Sequence, residues 1–159
     1  MSSGDNRDVD LRDIHDIRTL KSVYCELADR CCTAAGGRAA ADAIVELFVE
    51  DATLEVPAEY GGAQVGRGAI HSFWMQQSVV FSFADHLVFN ERIEVSGTAA
   101  RCHWKNVIPV TLQIGGTPTA LWILGDYDDE YVKVGGRWRI KSVKVGIRRV
   151  FRRDDTAPF

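Results

Sequence analysis

The chain has 159 residues, a formal net charge of -3 and 46% apolar residues. That length is one domain's worth, and the apolar fraction is enough for a substantial core. The mild charge argues against a polyanion-binding surface, so nucleic acid is not an expected partner. No apolar run approaches the roughly 18 residues of a membrane span, so a membrane is not an expected partner either.

Residues 1–10, "MSSGDNRDVD", are polar and acidic and read as a disordered lead-in. They contain no apolar h-region of a secretory signal, which points to a cytoplasmic protein. Apolar residues then recur at Leu11, Ile14, Ile17, Leu20, Tyr24, Leu27 and Cys31, in steps of three and four that describe one face of a long helix. It should run from about Leu11 to Thr33 and stop at the glycines of "AAGG". "RAAADAIVELF" is a second helix, "EDATLEV" a first strand, "YGGAQVGRG" a glycine-rich turn or hairpin, and "AIHSFWMQQSVVF" a third helix. Four longer strands follow in meander order: "HLVFNERIEV", "AARCHWKNVIPVTLQI", "ALWILGDYDDEYVKV" and "RWRIKSVKVGIRRVF", joined by the turns "SGT", "GGTPT" and "GG". Helices segregated from a mixed or antiparallel sheet, and packed in its concave face, make an α+β fold. The expected domain spans residues 11–152, with a tail over 153–159. If the sheet bends strongly around three N-terminal helices, the result is a cone-shaped α+β barrel. Its internal cavity would suit a small apolar molecule.

Four cysteines, Cys25, Cys31, Cys32 and Cys102, form neither a CxxC pair nor a Cys/His cluster. They read as buried reduced thiols, and no metal is expected. Alternation places His86, Val88 and Asn90 on one face of their strand. It groups Tyr127, Asp129 and Tyr131 on another strand, and sets His103 opposite Cys102, Trp104 and Asn106 on a third. Asp29 lies near the C-terminal end of the first helix, where the helix dipole disfavours a carboxylate, so it faces either water or a specific partner. An aspartate bound to one imidazole nitrogen fixes the tautomer and leaves the other nitrogen as a general base. Asp29 and His86 are the pair worth weighing, against a surface aspartate and an ordinary half-buried histidine. His15 and His71 read as surface residues.

The order and spacing of "IRTLKSVYCELADR", "ELFVEDATLEV", "GRGAIHSFW", "HLVFNERIEV" and "GDYDDEYVKVGGRWRI" resemble the SnoaL-like branch of the nuclear transport factor 2-like superfamily. Within it the chain looks most like the dehydratase and dehydrochlorinase group, which includes scytalone dehydratase, bile-acid 7α-dehydratase and hexachlorocyclohexane dehydrochlorinase. The resemblance implies a curved sheet wrapped around helices, and a homodimer or homotrimer. It also implies a catalytic aspartate twelve residues after an isoleucine, matched by Ile17 and Asp29. The catalytic histidine is matched by His86, with Asn90 and Ile93 at the family's spacing. Tyr24, five residues before the aspartate, and Tyr127 match further polar groups of the pocket, and Arg148 corresponds to an arginine late in the last strand. A second pocket histidine of some members falls here at Pro109, and His103 is a partial replacement.

The function implied is a cofactor-independent lyase, dehydratase-like, acting on a small hydrophobic hydroxy-carbonyl molecule that is steroid-, polyketide- or aromatic-like. His86, Asp29, Tyr24 and Tyr127 are the catalytic candidates. Phe48, Trp74, Phe89 and Trp122 are candidates for an apolar lining, with core packing as the alternative for each. Asn90, His103 and Arg148 complete the substrate-binding candidates. Two other readings use the same fold: a non-catalytic ligand-binding or structural subunit, as in dioxygenase small subunits, and an isomerase or polyketide cyclase. An open cavity with the pair in contact would favour an enzyme; a filled one would favour a structural subunit.

Overall fold

The computed structural model describes residues 11–152; the lead-in and the tail expected over 1–10 and 153–159 lie outside the described residues. Helix α1 (Leu11–Cys31) is followed by α2 (Gly37–Val45), strand β1 (Phe48–Glu55), a 3-10 turn (Ala58–Tyr60), the short β2 (Ala63–Val65) and α3 (Arg67–Val80). Then come β3 (Phe81–Ala84), β4 (Leu87–Ser96), β5 (Ala99–Ile114), β6 (Thr117–Val134) and β7 (Arg137–Arg152). The long helix, the three-helix count and the β4–β7 meander match the expectation. Two short strands do not: β2 lies in the glycine-rich segment, and β3 occupies the stretch between the third helix and His86.

The sheet order is β2-β1-β7-β6-β5-β3, with β4 also paired to β5. β1 runs parallel to β7, which makes the sheet mixed. The two Gly-Gly turns, Gly115–Gly116 and Gly135–Gly136, carry positive φ at both central residues, the backbone that suits the twist of a tight hairpin. Bulges interrupt the registers at Phe89/Arg92, Leu124/Gly125 and Glu130/Tyr131. Each adds local twist and bend, and together they curl the sheet into a half-barrel around the helices. Gly125 sits at one bulge: a Cβ there would collide with the Gly146 carbonyl oxygen. Two strands therefore approach more closely at this point than any larger residue allows.

The buried face of α1 is Asp13, Ile17, Lys21, Tyr24, Cys25, Ala28 and Cys31, whereas Leu11 is 78% exposed. The inward stripe thus contains two charges that a hydrophobic periodicity skips. Asp13 accepts hydrogen bonds from Lys133 Nζ and Trp138 Nε1. These two donors, Lys133 first, hold its carboxyl below the usual range. The Lys21 ammonium, 1% exposed, donates to Asp129 Oδ2 at 2.8 Å, and the Tyr131 hydroxyl donates to the same oxygen at 2.9 Å. It also lies 3.6 Å from the Tyr127 ring centroid and 4.7 Å from that of Tyr24. Charge, hydrogen bonds and ring faces replace part of the water that both ions lost, while Asp129 Oδ1 has no partner among the described residues.

Removing one member of that pair leaves an uncompensated buried charge. Lys21→Met should cost about 3–5 kcal/mol in urea unfolding. Adding Asp129→Leu should recover at least half of that loss, because the stranded carboxylate is gone; additive losses would contradict this account of the core.

Candidate active site

His86 lies at the break between β3 and β4, both of which run along the same edge of β5. The break follows from the opposite residue. Asp85 N donates to the Pro109 carbonyl at 3.1 Å, but proline has no N–H to return, so the ladder lapses there. In antiparallel pairing the next residue directs its N–H away from the partner strand. The His86 amide would therefore be an open edge donor. Asp29, in the last turn of α1, satisfies it at 2.8 Å, and the same carboxylate oxygen takes His86 Nδ1 at 2.6 Å. An ionised carboxylate only accepts, so Nδ1 is the donor of this bond, and in the neutral ring the lone pair is on Nε2. The dipole cost of a carboxylate at a helix C-terminus is offset by these two donors.

Beside this pair is a cavity of about 440 Å³. His86, Tyr24, Tyr127, Trp74 and Asn106 line it, with Leu54, Phe73, Phe81, Ile108, Val110, Ile123, Val145 and Ile147 among its apolar walls. Tyr24 and Tyr127 meet edge to face at 6.4 Å, and Tyr24 meets Trp74 the same way at 6.0 Å. Burial lifts both phenols well above the ordinary phenol range, so they stay protonated and can donate. At the rim, Pro57, Tyr60 and Gly61 come from the turn before β2, and Gln76 and Gln77 from α3. Among the described residues, no group of three or more His, Cys, Asp or Glu is arranged to hold a metal ion.

Of the expected site residues, His86, Tyr24, Tyr127 and Trp74 line this space, and Asp29 stands behind His86 as its hydrogen-bond partner. The others do not line it. Phe48 is buried in the core, edge to face with Tyr24. Phe89, 41% exposed, and Trp122, 46% exposed, lie on the convex outer face. Trp122 follows from parity: counting back from Tyr127, the inward residues are Gly125 and Ile123. Asn90 has φ 51, a left-handed backbone that asparagine tolerates, and sits in the Phe89/Arg92 bulge rather than on the cavity face. His103 is also outside, with Nδ1 at 2.8 Å from Asp128 and Nε2 at 3.4 Å from Asp126. Arg148 binds Asp126 Oδ2 at 2.9 Å on that outer face, at the β6–β7 bulge. His15 is exposed, and His71 pairs with Asp42 of α2 at 2.7 Å.

The polar lining residue singled out by the structure and not by sequence reasoning is Asn106. Its parity was readable, since it shares a face with Cys102 and Trp104, but nothing marked that face as the inner one until its neighbours proved buried. Phe73, Phe81 and Ile123 were missed for the same reason: an apolar residue in a strand or helix carries no sign of whether it meets other side chains or a cavity.

A family model for the SnoaL-like domain matches residues 9–144. No curated protein matches the chain. Among solved structures, a scytalone dehydratase-like protein from Novosphingobium aromaticivorans superposes with a TM-score of 0.75 at 21% identity, covering 89% of this chain and 87% of that one. The hexachlorocyclohexane dehydrochlorinase LinA-type3 from Novosphingobium barchaimii LL02 gives 0.74 at 17% identity, over 89% and 90%. An aromatic ring hydroxylase-like protein from Novosphingobium aromaticivorans gives 0.76 at 18%, over 91% and 96%. At these identities the likeness is one of fold.

Cys32 also lines the cavity, while Cys25, Cys31 and Cys102 are buried elsewhere in the core. Burial pushes Cys25 up to about 11 and Cys31, Cys32 and Cys102 up to about 12. A thiol raised this far stays protonated, and unreactive, in mildly alkaline buffer. Ellman's reagent at about pH 8 should therefore leave the folded protein essentially untouched and read all four thiols in denaturant; fast reaction of the native protein would contradict the burial described.

Proposed function

The chain belongs to the SnoaL-like domain family, and on that premise we propose that it is a cofactor-independent lyase of the dehydratase type. The observation that carries this reading is the 2.6 Å contact between His86 Nδ1 and Asp29, beside an open and mostly apolar cavity. A non-catalytic subunit would have no use for a tautomer-fixed imidazole on the wall of a cavity. The scytalone dehydratase-like and dehydrochlorinase neighbours support an elimination in preference to an isomerisation.

In the proposed reaction, His86 Nε2 takes a proton from the carbon next to a carbonyl. The C–H electron pair moves toward the carbonyl, whose oxygen becomes an enolate. Tyr24 and Tyr127, held protonated by burial, donate to that oxygen. Collapse of the enolate expels hydroxide from the β-carbon. The proton on Nε2 leaves with it as water, and a conjugated carbonyl compound remains. Asp29 stabilises the imidazolium between the two steps and holds the ring in place. The substrate class is a small, ring-bearing β-hydroxy carbonyl compound, whose apolar part fits the wall of Phe73, Trp74, Ile108 and Ile123.

We place the protein in a homo-oligomer whose contact is the convex face. Phe83 and Leu87, each 47% exposed, lie there beside Phe89 and Trp122, an apolar surface larger than scattered single residues.

Steady-state assays on β-hydroxy ketones of the steroid and aromatic series test the reaction. On a compound that is turned over, His86→Ala should lower kcat by about 10²- to 10⁴-fold. Asp29→Asn should cost a comparable factor, and the double variant little more than either alone, since the two act as a unit. Retained activity in both single variants would overturn the reading.

A further inference from the structure

We infer that Asn106 is the specificity-determining residue of the cavity and selects ligands that present a hydroxyl group to the sheet. Asn106 is 2% exposed, and neither its Nδ2 nor its Oδ1 has a hydrogen-bond partner among the described residues. An unpaired amide is costly to bury, so a residue of this kind at a cavity wall points to a ligand that completes it. Its position is central. Asn106 pairs across β4 with Val88, two residues from His86, and across β6 with Gly125, two residues from Tyr127. Diagonal neighbours in a sheet are about 7–8 Å apart, so one small molecule can touch His86, Asn106 and Tyr127 together. Oδ1 sits over Gly125, 3.1 Å from where a Cβ would be, so the absence of a side chain there makes its space.

The amide offers both a donor and an acceptor. A hydroxyl satisfies both, accepting from Nδ2 and donating to Oδ1. A halide has no proton to give and leaves Oδ1 unpaired; a bare hydrocarbon leaves both atoms so. The buried Nε1 of Trp74, another lining residue, also has no partner among the described residues. It only donates, so it is met by any acceptor and does not discriminate. This assignment rests on the proposed use of the cavity for a hydroxy-carbonyl substrate. It separates that chemistry from removal of a halide on the same fold.

The test measures binding and not turnover. Three stable probes, 2-naphthol, 2-chloronaphthalene and naphthalene, are titrated by isothermal calorimetry into the wild type, Asn106→Leu and the smaller Asn106→Ala. The wild type should bind 2-naphthol about tenfold or more tighter than 2-chloronaphthalene. Asn106→Leu and Asn106→Ala should bind the two within about threefold, while keeping affinity for 2-chloronaphthalene as proof of an intact cavity. The inference is overturned if the wild type shows no hydroxyl preference, if no saturable 2-naphthol binding is seen, or if the preference survives in a folded Asn106 variant. Loss of the preference in a protein that dehydrates no hydroxy ketone would leave this inference standing and remove the lyase reading. A persistent preference alongside His86-dependent turnover would do the reverse.

Discussion

One carboxylate oxygen joins the two halves of this molecule at the place where its chemistry is proposed to occur. Asp29 Oδ1 accepts both the backbone N–H and the Nδ1–H of His86. The first bond closes an edge-strand amide that points away from β5 and so has no ladder partner. The second selects the imidazole tautomer. A residue held by main chain and ring at once has little freedom left, and an acid–base group needs that restraint to keep its lone pair aimed at a substrate. Remove the carboxylate, and the end of α1, the break between β3 and β4, and the direction of Nε2 all lose their common reference.

Helix α1 is tied to the sheet at regular intervals, through Asp13, Lys21 and Asp29, eight residues or roughly two turns apart. Tyr24 fills the interval beside the cavity. These polar anchors sit in an otherwise apolar interior and cost desolvation. In return they fix where the helix lies along the sheet, which hydrophobic contact alone specifies loosely. The site inherits that register. The Lys21 ammonium under the Tyr127 ring belongs to the frame, and the phenols above it face the cavity.

Much of the fold was legible in the sequence because it rests on short-range rules. Steps of three and four marked α1, strand alternation marked β4 to β7, and Gly-Gly pairs marked their turns. The parallel pairing of β1 with β7 was not legible, since alternation says which face a residue takes and not which strand lies beside it. The bulges were the costliest omission. Asn90, with its positive φ, resets the parity of β4, and Arg148 occupies an irregular register in β7, so side chains expected in the cavity lie outside it. The charged positions of α1 were hidden for another reason: Asp13 and Lys21 look like surface residues until their partners, more than a hundred positions away, are brought to them. Asp29 and His86 stood out as candidates from the residues, but only the resemblance put them together, because 57 residues separate them. Asn106 was invisible on both counts, being neither part of a motif nor apolar.

The proposal depends above all on the tautomer and anchoring of one imidazole. Long-range ¹H–¹⁵N correlation spectra of the ring nitrogens, recorded in mildly alkaline solution where free imidazole is neutral, report this directly. The account requires His86 to show a protonated Nδ1 and a bare Nε2, with the Nδ1 proton lost to fast exchange in Asp29→Ala. A His86 protonated at Nε2, or averaging between tautomers as a free side chain does, would contradict it.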